Sequence, residues 1–89
     1  MRTNLIRQFN CIRDTILKNV ETIKTMVTQV EDLSKLAATL PNAAPGHDDT
    51  KSKLETQIKS MNQSISSLIE QTTELFKLYE KFAEELFSA

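Results

Sequence analysis

Both prolines and the only glycine of the 89 residues fall between positions 41 and 46, in Pro41-Asn42-Ala43-Ala44-Pro45-Gly46. Proline withholds a backbone donor and fixes φ, while glycine opens the left-handed region, so a helix cannot run through this segment. About 40 residues lie on either side with neither proline nor glycine. The economical reading is all-α: a helix over about 4–40, a loop at 41–48 and a helix over about 49–87, folded as one long antiparallel hairpin domain of coiled-coil type.

Thr3 or Asn4 is suited to cap the first helix, and Asp48, Asp49 or Thr50 the second, with Ser52-Lys53-Leu54-Glu55 offering a capping box one turn later. In the first arm Phe9, Ile16, Ile23, Val30 and Ala37 repeat every seven residues, an a series. The d series is Leu5, Ile12, Asn19, Met26, Leu33 and Leu40. The second arm has Ile58, Ile65, Thr72, Tyr79 and Leu86 at a, and Leu54, Met61, Leu68, Leu75 and Phe82 at d. Seams sustained this long are coiled-coil signals. Ile6, Val20 and Val27 in one arm, and Ile69, Phe76 and Ala83 in the other, add an apolar e position. A three-position face is wider than a two-stranded coil covers, so the expected assembly is a four-helix or larger oligomeric bundle.

Folding near residue 44 brings residues whose numbers add to about 88 level with one another. Arg2 then comes level with Glu85, Arg7 with Glu80, Arg13 with Glu74 and Lys18 with Glu70, although Lys35 falls level with Lys53. These are not taken as salt bridges, since Lys18 and Glu70 hold outer heptad positions and exposed pairs are worth only about 0–1 kcal/mol. The same rule sets Phe9 beside Tyr79, Ile12 beside Phe76, and Asn19 close to Thr72. Residues 1–40 carry six basic and four acidic side chains and residues 48–89 five and eight, which favours the antiparallel arrangement.

Four of the five aromatics lie in the last third, where Leu78 and Phe87 carry apolar surface beyond the a/d/e face. That third reads as core of the chain's own bundle or as a docking surface for another subunit, with binding to a membrane surface disfavoured because Glu80, Glu84 and Glu85 would repel anionic lipid. The side chains assigned to partner binding are Phe9, Ile12, Ile16, Val20, Ile23 and Val27 of the first arm. From the second arm they are Ile65, Leu68, Ile69, Leu75, Phe76, Leu78, Tyr79, Phe82, Leu86 and Phe87. Asn19 and Thr72, polar residues in an apolar seam, are assigned to register and specificity.

Chemistry is not indicated. His47 is the only histidine and Cys11 the only cysteine, so no metal set or internal disulfide can be assembled, and no phosphate loop or nucleophile motif occurs. No cofactor is expected, nor an enzyme. A net charge of −1 offers no general attraction to nucleic acid. With no run of 18 apolar residues and no secretory pattern after Met1, the expected setting is a reducing compartment, cytoplasmic or nuclear.

In length and periodicity the chain resembles the short helical-hairpin subunits of scaffolds such as kinetochore, Mediator or lysosome-positioning complexes. Leu33-Ser34-Lys35-Leu36-Ala37 followed by Pro41 and Pro45 is similar to the turn region of bacterial type III secretion needle subunits. The first resemblance implies a non-enzymatic scaffold or adaptor subunit bound to other helical proteins. The second implies a self-assembling filament subunit, or its small helical chaperone. A self-sufficient homodimeric four-helix bundle is the third option.

Overall fold

The computed structural model describes residues 2–41 and 46–88, of which Arg2 is described by its backbone alone. It contains helix α1, Arg2–Thr39, and helix α2, His47–Phe87, packed against each other as an extended hairpin with no strand among the described residues. Asn42 to Pro45 of the break lie outside the described residues.

The helix ends follow from backbone chemistry. Pro41 disfavours helical geometry at Leu40, so α1 stops at Thr39. Gly46 adopts φ 75° and ψ 13°, a left-handed conformation that turns the chain into α2, and its carbonyl accepts the Thr50 amide at 3.0 Å. α2 therefore starts about two residues earlier than the sequence suggests. Asp48 and Asp49 lie in its first turn, where carboxylates suit the positive end of the helix dipole, and no side chain caps it. Ser52-Lys53-Leu54-Glu55, read as a capping box, lies inside α2, and Thr3 and Asn4 lie inside α1.

The expected seam is the inner face. Every described a and d side chain of both helices is buried or half-buried, with Ile16 at 5% exposure the most enclosed apolar residue. The core is nevertheless thin: among the described residues no side chain is fully buried. A radius of gyration of 20.0 Å, against about 12 Å for a compact chain of this length, reflects a rod of 69 × 16 × 14 Å.

One polar layer crosses the seam. Thr72, 6% exposed, donates its hydroxyl to the Leu68 carbonyl at 2.7 Å and accepts from Asn19 Nδ2 at 3.2 Å. The numbers of that pair add to 91, three more than the expected 88. Helical side chains lean toward the N-terminus of their own helix. In an antiparallel pair the lean is away from the turn on α1 and toward it on α2, so α2 supplies a later residue than backbone height alone indicates. A sum of 91 also sets Ile16 level with Leu75 and Ile23 level with Leu68, an a position beside a d position each time, whereas the ring pair Phe9 and Tyr79 keeps the expected 88.

The opposite charges that come level across the hairpin accord with its antiparallel arrangement but are not joined as ion pairs. Among the described residues all four ion pairs join neighbours on one helix: Arg13–Asp14, Lys24–Glu21, Lys53–Asp49 and Lys77–Glu74. Arg13 and Glu74 thus take other partners, Arg7–Glu80 and Lys18–Glu70 are not paired, and Arg2–Glu85 falls on a side chain outside the described residues. A partner within one turn on the same helix is reached with less ordering of a long side chain than one across the seam.

Candidate functional site

The seam settles which flanks of the two helices lie together. Phe9, at a, stacks on Tyr79, also at a, with ring centroids 4.4 Å apart and 22° between planes. It meets Phe87, at b, edge-on at 6.1 Å and 85°. Around a helix the positions a, e and b follow one another, so these contacts put the e and b positions of both helices on one side of the hairpin. The g positions share the other side.

Apolar exposure is unequal between the two sides. Eight large apolar side chains stand exposed among the described residues, and six of them occupy the e/b flank. These are Ile6, Leu17 and Val27 of α1 and Ile69, Phe76 and Phe87 of α2, with Phe87 the most exposed at 77%. Only Leu36 and Leu78 lie on the g flank, which is otherwise Gln8, Thr15, Thr22 and Gln29 of α1 and Gln57, Ser64, Gln71 and Glu85 of α2. Thr15 and Thr22 turn their hydroxyls back onto the Cys11 and Lys18 carbonyls of their own helix. The unpartnered apolar surface is therefore one stripe along one side, concentrated in the half of the rod remote from the turn.

The side chains assigned to partner binding divide accordingly. Ile16 and Ile65 are buried in the hairpin's own seam, and Phe9, Ile12, Ile23, Leu68, Leu75, Tyr79, Phe82 and Leu86 are half-buried there. In this arrangement their main contact is the opposite helix. Val27, Ile69, Phe76 and Phe87 are on the open flank, with Val20 half-buried beside them, and Leu78 is alone on the far side. Phe76, expected level with Ile12, stands 47% exposed on the flank. Asn19 and Thr72 are joined as one layer. Leu17 and Leu36 belong to neither heptad series, and reading by repeats passes over them; plotting every apolar residue around the helix finds Leu17 beside Val20.

The concavities are open grooves, such as the one along α2 lined by Asn62, Ser66 and Glu70. Among the described residues no three His, Cys, Asp or Glu side chains cluster as metal ligands, and no helix is long and apolar enough to cross a membrane. Cys11 is exposed on the outer surface, and His47 is half-buried in the first turn of α2. Compared with family models, curated proteins and solved structures, the chain finds no significant match in any of the three.

Proposed function

We propose that the protein is a non-enzymatic structural subunit that contributes its two helices to a larger helical bundle, docking through the e/b flank. The observation that carries this reading is the one-sided stripe of exposed Ile, Leu, Val and Phe on a hairpin whose own core encloses no side chain fully. Contiguous apolar surface of this kind usually marks an interaction site, and helices are the partners whose rows of side chains fit such a stripe. A scaffold or adaptor subunit of a multi-subunit assembly accords with it. A secretion-type filament subunit fits less well, because an open polymer needs two different complementary patches and the exposed apolar residues gather on one.

The test is whether folding depends on company. Purified chain followed by sedimentation and thermal melting over a hundredfold range of concentration should show assembly and melting that rise together. A single-chain species that melts sharply at one temperature throughout would overturn the reading.

A further inference from the structure

We propose that the flank is covered first by a second copy of the same chain, with both turns at the same end and the two-fold axis along the rod. This rests on the structural-subunit reading above and names the partner of that surface. In this arrangement α1 of one copy faces α2 of the other, antiparallel and at the same heights as within the hairpin.

The flank matches itself in that pose. With facing numbers adding to between 89 and 93, a spread of about one helical turn around the observed 91, Ile6 is level with Phe87, Leu17 with Phe76, and Val20 with Ile69. Arg13 comes level with Glu80 and Glu31 with Lys59, and no two like charges of the flank meet within a turn. Val27, which projects from α1, is level with the open groove at Asn62 and Ser66. Placing the turns at opposite ends is worse. Full overlap then makes facing α2 numbers add to about 134, the sum of the two ends of α2. Glu80 would meet Glu55 twice, by symmetry, and Phe76 would meet Lys59.

The area is sufficient. The hairpin exposes 6787 Å², where a compact monomer of 10.1 kDa exposes about 5,300 Å². A stable pair needs to cover only about 800 Å² per copy, well within that excess of about 1,500 Å². Leu36 and Leu78, on the other flank, remain outside the pair and open to further subunits.

Sedimentation equilibrium of the full chain, with a nitroxide at Asp49→Cys in a Cys11→Ser background for distance measurement, tests this. The expected result is a two-chain mass and a label separation under about 30 Å, since both turns share one end and a bundle is only a few helix diameters wide. Phe76→Asp should weaken pairing roughly 100-fold or more, as loss of a central aromatic anchor does. Leu78→Asp, at a site of similar exposure (41%) on the opposite flank, should leave pairing within about threefold. A two-chain mass with labels about 50 Å apart, or equal loss of pairing in both variants, would overturn the proposal. A poorly folded single chain that gains order only with a different helical protein would also overturn it while leaving the subunit reading in place. A single chain that melts sharply alone would overturn both.

Discussion

Asn19 of α1 and Thr72 of α2 are hydrogen-bonded across an otherwise apolar seam, Nδ2 to Oγ1 at 3.2 Å. Each sits where the heptad calls for an apolar residue. Thr72 satisfies its hydroxyl on the Leu68 carbonyl of its own helix. The half-buried Asn19 amide depends on Thr72, and an amide left without a partner there costs up to about 1–3 kcal/mol. As a pair they penalise any slip of one helix along the other, since a slip separates both from their partner.

Thr72→Val should therefore destabilise the fold by about 1–3 kcal/mol, chiefly by stranding the Asn19 amide. Adding Asn19→Leu should restore stability to the starting level or slightly above it, while admitting alternative registers. Urea unfolding of the single and double variants checks this. A double variant as unstable as Thr72→Val alone would mean that the polar pair stabilises the fold rather than fixing its register.

Phe9 and Tyr79 should be energetically coupled. Their rings are stacked at 4.4 Å, and such pairs contribute about 0.5–1.5 kcal/mol beyond the area they cover. A double-mutant cycle of Phe9→Leu and Tyr79→Leu reads that coupling directly. Phe87→Leu should couple to Phe9 more weakly, because their contact is edge-on at 6.1 Å and Phe87 is largely in solvent.

Ile16 and Leu17 are sequence neighbours with opposite expected effects. Ile16 is 5% exposed and Leu17 58%. Ile16→Ala should cost about 2–4 kcal/mol of folding stability. Leu17→Ala should leave the seam intact and act on assembly, raising the concentration at which two-chain species form. Circular dichroism at fixed concentration and sedimentation across concentrations separate the two effects.

Salt dependence should be slight. Each ion pair among the described residues joins exposed partners on one helix, a class worth about 0–1 kcal/mol and readily screened. Raising sodium chloride from 50 mM to 500 mM should move stability by less than about 0.5 kcal/mol. A large loss would indicate that opposite charges level across the hairpin, such as Arg7 and Glu80, pair in solution.

The seam was legible in the sequence because burial in a helix pair follows residue spacing alone, and Phe9, Ile16 and Ile23 keep that spacing. Register was legible: Phe9 meets Tyr79 at the expected sum of 88, and Asn19 meets Thr72 in one layer at 91, within a helical turn of it. The charge balance of the two arms pointed to the antiparallel arrangement without ion pairs across it, and Arg13 and Glu74 find partners on their own helices in Asp14 and Lys77. That the e positions of both arms share one side was not legible arm by arm. It emerges only once the helices are paired and Phe87 is found against Phe9.

Gly46, at the start of α2, should be sensitive to substitution. At φ 75° it occupies a region that L side chains adopt at a cost of about 1–2 kcal/mol. A Cβ added there would meet nothing within 4 Å, so the whole penalty for Gly46→Ala is backbone strain rather than a clash. Gly46→Ala should thus cost about 1–2 kcal/mol, and Gly46→Asn distinctly less, because asparagine enters the left-handed region more readily. Ranking the three by thermal melting at one concentration gives glycine, then asparagine, then alanine. If alanine matched glycine, the start of α2 would have to form without the left-handed turn, with the first helical hydrogen bond from Thr50 rearranged.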